Sequence, residues 1–174
     1  MDGPAKFDDF VASRGAALSK TAYLLTGDHH LAQDLVQTAL ARTASHWHRV
    51  ADGSPEAYAR RVMVNERVSW WRRRRYVVEV LSDPEKLTES GANAIADPAE
   101  RVVRRETVMA ALARLPARQR AVIVLRFFDD LTEAAAAEQL GCSIGTVKSQ
   151  THAALATLRS FAPEMLSDAD PTLR

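Results

Sequence analysis

The run from Leu115 to Arg159, LPARQRAVIVLRFFDDLTEAAAAEQLGCSIGTVKSQTHAALATLR, constrains this chain more than any other stretch. It reads as a helix, a turn and a short helix, then a tight turn and a second, longer helix. Thr132 can cap the short helix Glu133 to Leu140, because its hydroxyl accepts from a backbone N–H that the first turn leaves unpaired. Gly141 suits the turn, where a left-handed backbone costs a residue without Cβ little. Ser143 offers a second cap, opening a helix from Ile144 to about Ser160. On it Ile144, Val147, Thr151, Leu155 and Leu158 recur at three-to-four spacing, which predicts the packing face. Lys148, Ser149, His152 and Ala153 then point outward. This is a helix-turn-helix pattern, and such outward residues enter the major groove of DNA. Lys148 is the one full positive charge in the first turns, so modest affinity is expected from this element alone.

A second basic helix lies well upstream. Ser54 before Pro55 is a cap followed by proline at the first helical position, and the helix runs to about Arg75. Projected at 100° per residue, Arg61, Asn65, Ser69 and Arg72 share one stripe, while Ala59, Met63 and Trp70 lie opposite. Asn65 is uncharged amid cations, yet it offers a donor and an acceptor together, the chemistry for reading a base edge. Trp70 is assigned to packing. Trp71 stands open between packing and stacking on an unpaired base, worth roughly 1–3 kcal/mol. The run Arg72 to Arg75 also suits the negative end of a helix dipole.

Net charge is +1 over 174 residues, which alone says nothing about nucleic acid. Its distribution does: residues 1–59 carry −2, 60–75 carry +6, 76–100 carry −5, 101–120 carry +5 and 121–174 carry −3. Glycine and proline cluster between helical patterns. Upstream, Phe7, Phe10, Val11, Leu18, Ala22 and Leu25 mark one helix, closed by Gly27. Asp28 can cap a second, His29 to about His46, with Leu31, Leu35, Ala39 and Leu40 inward. Ala51 to Pro55 is a loop. Residues 76–100 hold Pro84 and Pro98 and no sustained period, and they read as a partly extended linker. The predicted fold is all-α: two small helical domains joined by a flexible acidic linker that leaves their relative orientation unfixed. No apolar run reaches the ~18–20 residues needed to cross a membrane. No signal pattern opens the chain, and the single cysteine, Cys142, excludes an internal disulfide. A cytoplasmic protein is the expectation.

Together these motifs resemble a bacterial sigma factor of the extracytoplasmic-function group of the sigma-70 family, from about Phe7 to Arg159. HLAQDLVQTALART resembles the helix that binds core RNA polymerase. YARRVMVNERVSWWRRRR resembles the helix that reads the −10 element, and LPARQRAVIVLRFFDDLTEAAAAEQLGCSIGTVKS the domain that reads the −35 element. The resemblance implies sigma region 2 over residues 1–75, a linker over 76–100, region 4 over 101–162 and a frayed tail over 163–174. It places Asp34, Leu35, Gln37 and Thr38 against the polymerase. Arg61, Asn65, Ser69, Trp71 and Arg72 would meet −10 DNA, with Asp52, Gly53 and Ser54 forming the pocket for a flipped base. Ser143, Thr146, Lys148, Ser149 and His152 would meet −35 DNA. The implied partners are core polymerase (the clamp of the beta-prime subunit and the flap of the beta subunit), promoter DNA and an anti-sigma factor. No membrane, small-molecule substrate, cofactor, metal or catalytic residue is implied.

Three rival readings remain beside it. A stand-alone repressor explains residues 115–159 but not the Asn65 stripe, and no dimer helix is visible. A metal enzyme would use His29, His30, His46 and His48, yet neighbours one or two apart point away from each other on a helix. Asp129 and Asp130 read as the turn before Leu131, and Cys142 as a small turn residue or, less simply, a redox switch. A pure interaction module is the third rival, for which no partner surface can be read.

Overall fold

The computed structural model of the chain describes residues 3–81 and 99–161, with side chains described for 7–70, 73 and 106–161. The elements are α1 (Gly3–Thr26), α2 (His29–Ser45), α3 (Trp47–Val50), α4 (Pro55–Leu81), α5 (Ala99–Ala113), α6 (Ala117–Ile123), α7 (Glu133–Leu140) and α8 (Ile144–Phe161). Among the described residues there is no strand. Of the expected linker over 76–100, residues 82–98 lie outside them, as does the tail over 163–174; residues 76–81 and 99–100 are helical.

The predicted punctuation is in place. Gly27 has φ 77°, and its N–H donates to the Tyr23 carbonyl at 2.8 Å, which closes α1. Asp28 Oδ1 accepts from the Leu31 N–H at 2.8 Å and opens α2. This short turn folds α2 back along α1, and α4 packs on both. Leu18, Leu25, Met63 and Val64 are buried between them. In the second half, Thr132 Oγ1 accepts from Ala135 N at 3.1 Å and caps α7. Gly141 is left-handed with φ 61°, and Ser143 Oγ accepts from Thr146 N at 3.1 Å to cap α8. Val147, Leu155 and Leu158 of α8 bury against α6 and α7, as their spacing predicts.

Several expectations are corrected. The second basic helix does not stop at Arg75 but continues to Leu81, because neither glycine nor proline interrupts the chain before Pro84. Leu31 and Ile144, expected inward, are 41% and 45% exposed. Each is in the first turn of its helix, beyond the edge of the neighbour it was meant to cover. Helix α6 widens into a π turn over Val124–Phe128, closed by Asp129 N donating to the Val124 carbonyl at 3.0 Å. No composition cue marks a π turn. Asp130 follows with φ 52°, a conformation aspartate tolerates better than most side chains.

The relative placement of the two halves, left unfixed by the sequence, is a packed one in this structure. Their buried apolar residues form one continuous cluster, with α4 against α6 and α7, and α1 against α6 and the π turn. The contact has a polar heart. Arg120, only 6% exposed, donates from Nε to the Leu24 carbonyl at 2.6 Å. Arg67 of α4 donates from Nε to the next carbonyl, Leu25, at 3.1 Å. Both carbonyls belong to the last turn of α1, where backbone acceptors lack helical partners and the helix dipole is negative. Burial lowers the Arg120 pKa to about 10, and the like charge of Arg67 adds to the effect. Nearby, the Thr21 hydroxyl donates to Asp129 Oδ1 at 2.7 Å, and Arg60 Nε lies 3.3 Å from Asp129 Oδ2. Burial raises the Asp129 pKa; the Thr21 bond and the Arg60 charge oppose that shift.

Gly27 therefore serves two ends. A Cβ there would stand 3.2 Å from Arg120 Nη2, whereas one on Gly141 would meet nothing within 4 Å. Both glycines have positive φ, so Gly27→Ala and Gly141→Ala should share a strain cost of about 1–2 kcal/mol. Gly27→Ala should cost more because the guanidinium must also shift. A gap of 1 kcal/mol would appear as a melting temperature about 2–4 °C lower, and equal melting temperatures would refute the close approach. Ser143→Ala should cost about 1 kcal/mol and speed amide exchange at Thr146, while exchange at Ala135, under its own cap, stays as it is.

Candidate nucleic-acid interface

The outward stripe of α4 is present as far as the described side chains reach. Arg61 and Asn65 are exposed, Ser69 is half-buried, and Ala59 and Met63 are fully buried on the opposite side. Trp71 and Arg72 lie outside the described side chains; Arg73 is exposed. Trp70 is half-buried, with the Arg67 guanidinium 4.8 Å from its ring centroid. Arg67 thus bridges the ring and the end of α1.

The loop before α4 is tied down at both ends. Gly53 N donates to the Val50 carbonyl at 3.1 Å, and Ser54 Oγ accepts from Ala57 N at 3.2 Å. Asp52, Gly53 and Ser54 are exposed, and they rim a cleft of about 880 Å³ together with Asp9, Arg14, Trp47 and His48. Trp47 is held by Phe7 and Phe10, with ring centroids 5.2 and 5.6 Å away. Arg14 Nε lies 3.3 Å from Glu56. Sequence reasoning stopped at the loop and missed these walls. The available signal was a tryptophan just before a glycine-containing loop, facing an aromatic pair on α1.

On α2, Asp34 and Gln37 are exposed and Thr38 is half-buried. Leu35, also expected to touch the polymerase, is 9% exposed and belongs to the core. Together with Val36 it fixes the helix from beneath, while Asp34 and Gln37 face out. On α8, Lys148, Ser149 and His152 are exposed. Ser143 and Thr146 are engaged with each other, their hydroxyl oxygens 2.9 Å apart, and Ser149 Oγ donates to the Thr146 carbonyl at 3.0 Å. Lys148 Nζ lies 3.6 Å from Glu133 Oε2. Exposed Ile144 joins this outward face.

The two faces are not independent. Arg61 Nη2 donates to the Glu138 carbonyl at 3.1 Å and lies 3.3 Å from Glu138 Oε1, so α7 occupies part of the α4 stripe. The histidines have other work: His29 stacks on Tyr23 with centroids 4.4 Å apart, and His46 Nδ1 lies 2.9 Å from the Arg42 carbonyl. Among the described residues, no three His, Cys, Asp or Glu side chains are grouped to hold a metal ion.

Residues 10–76 match the family Sigma-70 region 2, and residues 105–158 match Sigma-70, region 4. The chain is 43% identical over 155 residues to an RNA polymerase sigma-E factor of Streptomyces coelicolor, covering 88% of this chain and 84% of that protein. It is 35% identical over 159 residues to the ECF RNA polymerase sigma factor SigL of Mycobacterium tuberculosis, covering 86% and 85%. Its fold is similar to that of the sigma factor RpoE from Bartonella quintana, solved in complex with the anti-sigma factor NepR. The TM-score is 0.73 at 26% identity, covering 91% of this chain and 97% of that one. Two matched regions in order, on a helical frame shared with a solved member, place this chain in the sigma-70 family, as an RNA polymerase sigma factor of the extracytoplasmic-function group.

Proposed function

We propose that the chain binds core RNA polymerase in the cytoplasm and lends it two DNA readers, having no catalytic site of its own. The observation that carries this is the pairing of a capped helix-turn-helix with an exposed Arg61–Asn65 stripe on α4. The first suits duplex DNA at −35, through Lys148, Ser149 and His152, with Ser143 and Thr146 at the helix start. The second suits bases that have left the stack at −10, with Ser69 continuing the stripe and Trp71 and Arg72, by sequence, assigned to the same DNA. The cleft behind Asp52, Gly53 and Ser54 can receive one such base, and Trp47 in its wall offers an aromatic face.

Unstacking a base costs a few kcal/mol, about what one pocket and one ring return. Free protein should therefore not open a promoter, and the core enzyme supplies the rest. Asp34, Gln37 and Thr38 on α2 are assigned to the clamp of the beta-prime subunit, and the second half to the flap of the beta subunit. Control by an anti-sigma factor is supported by the Bartonella structure, in which a sigma factor of this shape is bound to one.

Run-off transcription with purified core polymerase over a promoter library tests this reading. Initiation at specific sites only when the chain is added is the expected result, and none with it present would refute the assignment. Asn65→Ala should lower open-complex formation about tenfold, roughly 1.4 kcal/mol, as for removing one hydrogen-bonded base edge, with core affinity intact. Neutralising Arg61 and Arg72 should reduce the slope of log affinity against log salt by about one for each phosphate no longer neutralised. An unchanged slope would make both arginines structural.

A further inference from the structure

Gly145 is a glycine that the fold itself does not require. It stands exposed in the first turn of α8. Its φ is not positive; among the described residues, Gly27 and Gly141 are the glycines that take that conformation. A Cβ built on Gly145 would meet only Ser143 Oγ, at 3.7 Å, an ordinary van der Waals contact. Neither backbone geometry nor packing excludes alanine there, and alanine is the better helix former.

The surface around it is low. Ser143 Oγ accepts from Thr146 N and lies 2.9 Å from Thr146 Oγ1. Ser149 Oγ turns back onto the Thr146 carbonyl, and Lys148 Nζ leans to Glu133 on α7. The hydroxyls flanking Gly145 are thus engaged within the helix instead of standing off it. Gly145, Ser149 and His152 follow one another at spacings of four and three, which places them on one stripe of α8.

We propose that Gly145 sets how deeply α8 enters the major groove, and that its missing side chain brings the short Ser149 within reach of a base edge. The inference rests on the promoter-reading function proposed above and adds a positioning residue to it. The dimensions make depth decisive. A helix with its side chains is about 10–12 Å across, and the groove is about 12 Å wide. With so little slack, a methyl on the leading face lifts the helix by roughly 1.5 Å, one carbon–carbon bond. A hydrogen bond tolerates a spread of only about 0.5 Å in length. The Ser149 oxygen stands two bonds from Cα and cannot follow the base edge, whereas longer side chains such as Lys148 can.

The test uses holoenzyme assembled from core polymerase and the full chain. Its DNA is a promoter selected by run-off transcription, and the same promoter with its −35 element scrambled. Gly145→Ala should hold or raise the melting temperature of the free chain, by up to about 4 °C, and leave core affinity unchanged. Affinity for the intact promoter should nevertheless fall about tenfold, while the scrambled promoter is bound alike by both proteins. Gly15→Ala is the matched control. Gly15 lies within α1 without a positive φ, and a Cβ there would meet nothing within 4 Å. That variant should keep or gain stability with no loss on DNA. Ser149→Ala should weaken promoter binding by itself but add little to Gly145→Ala, because the lifted hydroxyl has already lost its contact.

Undiminished promoter affinity in Gly145→Ala would overturn this inference alone, since the wild type still initiates. So would an equal loss on the scrambled promoter, a fully additive loss in the double variant, or a lowered melting temperature, which would mean that the fold needs the glycine. A wild-type chain that directs no initiation would refute the function proposed above and this inference with it.

Discussion

One guanidinium at the end of one helix organises this molecule. Arg120 is carried by the second half and completes the hydrogen bonding of the first. The last carbonyls of a helix need donors, and in an isolated domain water or a local cap provides them. Here Leu24 is served by Arg120 and Leu25 by Arg67. The absence of a side chain on Gly27 lets the guanidinium approach. From that point the rest follows: α6 is anchored over α1, the π turn delivers Asp129 to Thr21, and α7 comes to rest on α4.

The molecule divides its labour between shape and charge. Apolar residues at helical spacing make the two bundles, and their caps hold the helices to length. Apolar packing and buried charge together set how the bundles relate. The basic block over 60–75 supplies Arg60 and Arg61 to the interface, yet the same block holds the residues best suited to nucleic acid. On the function proposed above, a single surface would answer to two partners, one within the chain and one outside it.

Much of this was legible in the residues. Asp28, Thr132, Ser143, Gly27 and Gly141 announce their turns because capping chemistry is local: one side chain meets one backbone group three residues away. The faces of α2, α4 and α8 follow from period alone, with errors at Leu31 of α2 and Ile144 of α8, in the first turn of each helix. The illegible part is long-range. Asp129 reads as a turn residue and Arg120 only adds to the charge of the block over 101–120, because their partners are 108 and 96 positions away in the chain. Leu35 shows a related limit: a matched motif position names a helix, and only burial says which of its side chains face out.

Lys148 and Glu133 have a consequence of their own. The cation at the head of the groove-facing helix sits 3.6 Å from a carboxylate on the preceding helix. The local potential is muted, and a phosphate must displace an acidic neighbour to claim the ammonium. Attraction to arbitrary duplex, which scales with the number of neutralised phosphates, is correspondingly weak. On the promoter-reading function proposed above, a reader so tuned would spend little time on the vast excess of irrelevant genomic sites and would depend on the core enzyme for residence at the right one.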